Sequence, residues 1–234
     1  MHEDKCNALR SALFQPPPTI HAEPTDLEHD QPNDIAWEPV SYVEVCRAIF
    51  NPNQHKAPGP SQINNMVLCW AWAANPNPLY LLISHCVNIG YHPRVWRKTV
   101  AVVLCKPKKP NYSNLRAYHL IQLEECLGKT LELVIARRLS HMIHKHNLVP
   151  ATQFGGCPGS STVDAALTFT HNIEAACNHG LVTTSLTLDI KGFFDYVNHD
   201  KLATIMCRKR IPLPMVKWVT LFLSNREAAI CLDG

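Results

Sequence analysis

The sequence contains no apolar run long enough to cross a membrane as a helix, and its first residues do not place a basic stretch before an apolar one. A membrane-spanning helix needs about 20 apolar residues, so neither such a helix nor a secretory signal is predicted. The ten cysteines also include no Cys-x-x-Cys pair. Because several of them lie among apolar residues, we expect reduced, mostly buried thiols in an intracellular protein.

Two further patterns are too incomplete to predict a ligand site. His141, His144 and His146 lie close together without an accompanying cysteine pair, which favours a solvated helix end over a zinc site. Residues 153–159 are rich in glycine but lack the Gly-Lys-Ser/Thr ending of a phosphate-binding loop. A tight turn before a helix accounts for these glycines.

The net charge of +3 is unevenly distributed along the chain. Residues 1–50 carry a net charge of −6, residues 51–89 carry +1, residues 90–150 carry +8, and residues 151–234 are balanced. A basic middle segment predicts a polyanionic partner, with a solvated basic face as the alternative.

The 234 residues, 46% of them hydrophobic, suffice for one large domain or two small ones with a substantial core. Apolar periodicity predicts a helix-rich α/β (α+β) fold. Six prolines among polar residues in 15–39 predict an extended arm. Predicted helices cover about residues 41–50, 64–74, 78–90, 127–143, 162–177, 200–209 and 214–222, and predicted strands cover 99–105, 185–190 and 228–232.

Three of these elements carry more detailed predictions. Ser41 and Glu44 are expected to form a capping box at the first helix, which has Val45, Ile49 and Phe50 on one side. The helix at 162–177 has Val163 and Leu167 on its apolar side. The strand at 99–105 is almost continuously apolar and is expected to be buried.

Residues 185–199 are the most informative stretch. In 185–190 apolar and polar residues alternate, which predicts a strand with leucine and isoleucine on one face and Asp189 on the other. A carboxylate near the carboxyl end of a strand is well placed to hold a divalent cation. The alternatives are a solvated or turn-forming Asp189 and a purely structural role for Phe193 and Phe194.

The order of short motifs along the chain is more specific than any single motif. The first half contains Lys56-Ala-Pro-Gly-Pro60, Gly90-Tyr-His-Pro-Arg-Val-Trp96, Lys106-Pro-Lys108, Tyr112-Ser113 and Tyr118-His-Leu-Ile121. The second half contains Cys126-Leu-Gly-Lys129, Gln153-Phe-Gly155, Pro158-Gly-Ser-Ser-Thr162, Leu188-Asp-Ile-Lys-Gly-Phe-Phe-Asp195 and Val197-Asn-His199. From about Trp37 to Gly234 the series resembles the reverse transcriptase domain of non-LTR (LINE-like) retrotransposons.

The resemblance implies part of a right-hand polymerase that copies RNA into DNA. Residues 1–40 would form the proline-rich N-terminal arm, residues 41–180 the fingers and the start of the palm, and residues 181–234 a partial palm that carries the first catalytic aspartate. The implied partners are an RNA template, a DNA primer and deoxynucleoside triphosphates, and no membrane. The resemblance leaves the oligomeric state open.

The resemblance also implies roles for residues of the palm. Asp189 matches the family's first metal-binding aspartate, which acts with two Mg²⁺ ions, and the backbone carbonyl of Ile190 would add an oxygen ligand. Phe194 matches the bulky residue that packs against the nucleotide sugar and disfavours a 2′-hydroxyl. Asp195 is expected to be structural.

In the fingers, the resemblance places basic residues beside nucleic acid and nucleotide. Lys106, Lys108 and Lys109 lie where family lysines approach the template or the incoming triphosphate, and solvation alone is the alternative for each. His119 stands where the family has an arginine that contacts the triphosphate. A neutral histidine is a poor substitute for that charged fork.

The sequence departs from the family pattern at other positions besides His119. Ser61-Gln62 replaces Asp-Gly, Glu124-Glu125 replaces short apolar residues, and Cys157 replaces a polar or basic residue. These departures put nucleotide binding in doubt and are consistent with a decaying copy of a mobile element.

The family's Pro-Gln-Gly loop and its aromatic-Ala-Asp-Asp turn would follow the strand at 228–232. Since one aspartate does not hold two Mg²⁺ ions, we expect the chain to be an inactive fragment of a retrotransposon RNA-directed DNA polymerase. The alternatives are a non-catalytic nucleic-acid-binding remnant and an inert pseudogene product. An unrelated phosphoryl-transfer enzyme built on Asp189 is disfavoured, because no second carboxylate lies at a phosphatase spacing.

Overall fold

The computed structural model describes residues 2–13, 35–108, 111–112, 117–190, 193 and 196–231. The chain folds as two compact units, residues 1–135 with 196–234 and residues 136–195. The elements are α1 (His2–Leu13), α2 (Tyr42–Phe50), α3 (Asn65–Ala74), α4 (Asn77–Ile89), a 3₁₀ helix (Arg94–Arg97), β1 (Lys98–Cys105), β2 (Tyr118–Leu123), α5 (Cys126–Lys145), α6 (Thr162–Asn178), α7 (His199–Arg208), α8 (Leu213–Leu223) and β3 (Glu227–Cys231).

The three strands form one mixed sheet in the first unit, in the order β2-β1-β3. β1 and β2 are antiparallel, with Val100 opposite Leu123 and Cys105 opposite Tyr118. β3 is parallel to β1 and comes after all eight α-helices of the described part in chain order. Helices combined with this sheet confirm the predicted mixed fold class.

Two helices of the first unit, α2 and α3, begin where side chains satisfy their free backbone N–H groups. Ser41 and Glu44 form the predicted capping box of α2. Asn64 caps α3 by accepting a hydrogen bond from the N–H of Val67. The buried Asn65 then donates to the carbonyl oxygen of Ile49, at 3.0 Å, which ties α3 to the end of α2.

The core of this unit lies between α2, α4, α5 and α8. It consists of side chains that are almost fully buried, among them Val45, Ile49, Ile83, Val87, Leu131 and Met215. α4 ends, as predicted, at Gly90, whose φ of +73° is a left-handed C-cap. Phe50 was expected beside Val45 and Ile49 but is 46% exposed.

In the second unit, α6 begins at a capping box between Ser161 and Asp164. The helix is where the sequence predicts it, but none of its residues is buried. Val163 and Leu167, on its predicted apolar side, are 62% and 63% exposed. The second unit, taken by itself, therefore leaves apolar surface in contact with solvent.

The predicted strand at 185–190 is wrong. Residues 181–190 have no regular secondary structure and are all exposed, with Leu186 and Leu188 each at 81%. Alternation makes a segment suitable for a sheet, but a strand also needs a neighbour for its backbone hydrogen bonds. No described strand provides one, so the expected strand-end setting of Asp189 is not formed.

Other differences concern elements that the sequence signals weakly. α1, the 3₁₀ helix and β2 were not predicted. β1 was expected to be fully buried, but only Thr99 and Ala101 are, because its C-terminal end extends into solvent. No described helix is long and apolar enough to span a membrane. The predicted proline-rich arm falls largely on residues 14–34, outside the described residues.

Candidate nucleotide and nucleic-acid site

The β1–β2 hairpin brings two predicted nucleotide-contacting residues together. His119 lies opposite Leu104 on the neighbouring strand. The N–H of Lys106 donates to the carbonyl oxygen of Ala117 at 2.8 Å, so the strand pairing continues to Lys106. Lys106 is half-buried and His119 is exposed. Both therefore lie at the same end of the hairpin, where a cation and an imidazole can face one anionic ligand.

Two tyrosines hold this end of the hairpin in place. The Tyr112 hydroxyl donates to the carbonyl oxygen of Lys106, and the Tyr118 hydroxyl donates to that of Tyr112, both at 2.9 Å. Their rings meet edge to face with centroids 6.2 Å apart. Lys108 is exposed and has a φ of +59°, which a non-glycine residue adopts only in a tight turn. Lys109 lies outside the described residues.

A charge cluster that the sequence analysis missed lies where β2 ends and β3 begins. Arg226 forms an ion pair with Glu124 and places its guanidinium 4.5 Å from the centroid of the Phe222 ring. Burial, and secondarily the nearby Glu124, raise the pKa of Glu132. The positive charges of Arg226 and Lys129 act in the opposite direction and lower it. The only sequence signal for this cluster is the pair of glutamates that departs from the family pattern.

The second glutamate of that pair, Glu125, holds the loop that precedes α3. Glu125 accepts hydrogen bonds from the N–H of Ser61 at 2.8 Å and from its hydroxyl at 2.5 Å. Gly59 lies so close to Glu124 that an added Cβ would stand 2.5 Å from a backbone carbon. Two departures from the family pattern, at 61 and 125, thus contact each other and are chemically matched.

A buried histidine, His92, packs against Phe222, the ring that Arg226 also contacts. His92 is 1% exposed and meets Trp96, Trp218 and Phe222 edge to face. Within the described residues, no well-formed hydrogen bond reaches either ring nitrogen. Burial, and secondarily the charges of Arg226 and Arg97, lower the pKa of His92 to about 4, while the Trp96 backbone acts in the opposite direction. The imidazole is therefore neutral at physiological pH and serves the core.

Asp189 and Ile190 lie in the second unit and are exposed. Within the described part of the chain, the Asp189 carboxylate makes no hydrogen bond or ion pair, and no three histidine, cysteine, aspartate or glutamate side chains group as metal ligands would. A two-ion site needs several shared oxygen ligands, so these residues alone do not fit one. Phe194, the predicted sugar contact, lies outside the described residues.

Comparison with known proteins identifies the family. The model of the family described as reverse transcriptase (RNA-dependent DNA polymerase) matches residues 106–231, more than half of the chain. This range contains Lys106, Lys108, His119 and Asp189.

Curated relatives agree with this match. The chain is 27% identical over 201 residues to the probable RNA-directed DNA polymerase from transposon BS of Drosophila melanogaster, covering 86% of this chain and 22% of that protein. It is 27% identical to the corresponding protein of the X-element from the same fly, covering 93% and 24%. It is 29% identical to the Pol polyprotein of the R1 retrotransposable element from Bradysia coprophila, covering 74% and 16%.

The chain therefore spans about a fifth of the length of these relatives. The relatives come from non-LTR elements, and the range matched by the family model includes the motifs from Lys106 onward. The chain thus belongs to the reverse transcriptase (RNA-dependent DNA polymerase) family, and it corresponds to a portion of the proteins of non-LTR retrotransposons.

Proposed function

We propose that this chain supplies the fingers and part of the palm of a retrotransposon enzyme that copies an RNA template into DNA from a DNA primer and deoxynucleoside triphosphates. Residues 41–180 would be fingers and the start of the palm, and residues 181–234 would be palm. The observation that carries the proposal is an exposed Asp189 within Leu188-Asp-Ile-Lys-Gly-Phe-Phe-Asp195, inside the family match.

The basic end of the hairpin would bind phosphate groups. Lys106 and His119 lie at the same end of the hairpin, and Lys108 follows in an exposed turn. Cations that contact phosphates provide affinity without choosing a sequence, which suits a polymerase that must copy any template. His119, when neutral, would donate one hydrogen bond to a triphosphate oxygen, a weaker contact than an arginine fork. Lys109 would extend the same basic turn.

Mg²⁺ is the cation we propose for the parent enzyme. Asp189 would contribute a carboxylate and Ile190 a backbone carbonyl, both hard oxygen ligands of the kind this ion prefers. The remaining ligands would come from a part of the polymerase that lies outside this chain's described residues. Phe194 would stand against the nucleotide sugar and select against a 2′-hydroxyl.

Primer extension tests the role of Asp189. In a polypeptide extended to the length of the relatives, Asp189→Asn should reduce extension on an RNA template by at least about 100-fold, because the amide removes a charged ligand for the metal. Asp200→Asn is the matched control, since Asp200 is an exposed aspartate in the first turn of α7. Full extension by the Asp189→Asn enzyme would overturn the assignment.

A second candidate function is nucleic-acid binding without catalysis. It is favoured by one observation, that the described residues contain exposed cations but no completed group of metal ligands. An extended polypeptide that binds RNA but never extends a primer would support this alternative.

We also propose an intracellular, reducing location. All ten cysteines are free. Only Cys69, Cys86 and Cys126 are buried, so the expectation of mostly buried thiols is wrong. Burial raises the pKa of these three thiols, which keeps them unreactive. Fractionation of cells that express a tagged copy would test this location.

A further inference from the structure

A second group of exposed cations lies away from the β1–β2 hairpin, on α7, α8 and the turn between them. These residues, which we call the α7–α8 basic surface, are Lys201, Arg208, Lys209, Arg210 and Lys217. The two helices pack against each other within the first unit. Neither the family motifs nor the hairpin site uses this surface.

The helices present these cations from a fixed platform. On α7, Lys201, Ile205 and Arg208 follow the spacing of one helix face, and Ile205 is 48% exposed. The other side of α7 buries Met206, and α8 buries Met215 and Trp218 while Lys217 faces solvent. Because the apolar faces are anchored in the core, the charged faces are held in a defined arrangement.

The charge of this surface is not neutralised from within the helix pair. Asp200 is the one acidic residue in 199–223, against five lysines and arginines. Among the described residues, no acidic side chain forms an ion pair with Lys201, Arg208 or Lys217. Lys201, Arg208 and Lys217 therefore give the surface a positive potential that is available to a polyanion.

Helix stability does not account for the pattern. Arg208 lies in the last turn of α7, where a cation is favoured by the helix dipole. Lys201 lies in the first turn of the same helix, where a cation is disfavoured, and Lys217 lies in the middle of α8. Two of these three cations thus bring no dipole advantage to the helices that carry them.

We propose that the α7–α8 basic surface binds the phosphate backbone of nucleic acid, separately from the hairpin at Lys106 and His119. Lys201 and Arg208, seven residues apart, stand about 10 Å apart along the helix, which fits contacts to different phosphates of one strand. The proposal rests on the proposed function for the identity of the polyanion. It adds a second point of attachment that would hold the strand while the hairpin engages nucleotide.

The test is the salt dependence of binding to a labelled single-stranded RNA, measured with the complete 234-residue chain. Replacing Lys201, Arg208 and Lys217 by glutamine should weaken binding and make the slope of log K against log salt shallower by about 2, since each single-strand phosphate contact contributes about 0.7. The matched control replaces Arg10, Arg47 and Lys56, also exposed, by glutamine, which changes the net charge equally. Its slope should equal that of the unchanged chain.

Each other outcome has a definite meaning. Equal slopes for the two triple variants, or no RNA binding by the unchanged chain, would overturn the inference. It would also be overturned if the α7–α8 variant lost binding to phosphatidylserine vesicles while keeping its RNA binding, because the surface would then belong to a membrane. Far-UV circular dichroism checks that the variants are folded. Loss of primer extension by Asp189→Asn is independent of all these results, so the two proposals can fail separately.

Discussion

Position 90 requires glycine for two reasons, its backbone conformation and its close surroundings. Its φ is +73°, and a Cβ at this position would stand 2.1 Å from the carbonyl oxygen of Pro214. Gly180, at the end of α6, has the same φ of +73° but has no atom within 4 Å of such a Cβ. Substitutions at these two positions therefore distinguish the energetic cost of left-handed backbone strain from the cost of steric overlap.

We predict that Gly90→Ala lowers the free energy of unfolding by about 3 kcal/mol, because left-handed strain and backbone overlap add. Gly180→Ala should lose only about 1 kcal/mol, from strain alone. Urea unfolding followed by circular dichroism measures both values. Equal losses would show that the approach of Gly90 to Pro214 has no energetic consequence.

His92 gives the protein a specific sensitivity to acid. Its pKa is lowered to about 4 in the folded chain from an ordinary value of 6.5, so the unfolded chain binds the proton more tightly. Stability should therefore fall as the pH drops from 6.5 towards 4, and His92 should account for roughly 3 kcal/mol of that loss.

His92→Phe removes the proton site and should flatten the pH dependence of the unfolding free energy over this window. His85→Gln, at an exposed position of α4, is the control and should leave that dependence unchanged. If the His92→Phe protein lost stability in parallel with the unchanged chain, another group would be responsible.

Ser61 and Glu125 join the loop before α3 to the start of α5. Each residue departs from the family pattern, and either departure alone would resemble random decay of the sequence. Ser61 donates two hydrogen bonds to Glu125, whereas the family pattern has an aspartate and a short apolar residue at these positions. An aspartate at 61 would place two carboxylates side by side. We therefore expect the effect of a substitution at one of these positions to depend on the residue at the other.

A double-mutant cycle measures this coupling. Ser61→Asp alone should cost about 1 kcal/mol through repulsion and the lost hydroxyl hydrogen bond, and most of that cost should disappear when Glu125→Leu is added. Additive effects of the two substitutions would mean that the contact brings no stability and that the two departures arose independently.

The chain as a whole carries an exposed ribbon with the pattern of a strand. Leu186 and Leu188 are 81% exposed, and Ile190 is 67% exposed. An unpaired apolar segment of this kind is a template for pairing with another copy. We therefore expect self-association of the isolated chain through this segment.

Replacing Leu186 and Leu188 by lysine should reduce that association, because charge opposes stacking of identical strands. Light scattering over a concentration series measures the effect. Leu81→Lys is a suitable control, since Leu81 is 63% exposed but lies on α4. Equal improvement from the control would locate the association elsewhere.

Features that depend on neighbours in sequence could be predicted well. The capping boxes at Ser41 and Ser161, the end of α4 at Gly90 and the start of α8 beside Pro214 follow from side chains within four residues of each boundary. The order of family motifs also lies in the sequence alone. It indicates the reverse transcriptase family independently of the fold, and both Lys106 and Asp189 lie within the range that the family model matches.

The tertiary structure decided what depends on partners far along the chain. Arg226 forms an ion pair with Glu124, 102 residues away in the sequence, and Glu125 accepts hydrogen bonds from Ser61, 64 residues away. For the same reason the segment at 185–190, whose alternation is ideal for a strand, forms none among the described residues, while β3 becomes a strand by pairing with β1. Helices satisfy their hydrogen bonds locally and are specified by local sequence, whereas a strand exists only where a second strand is present.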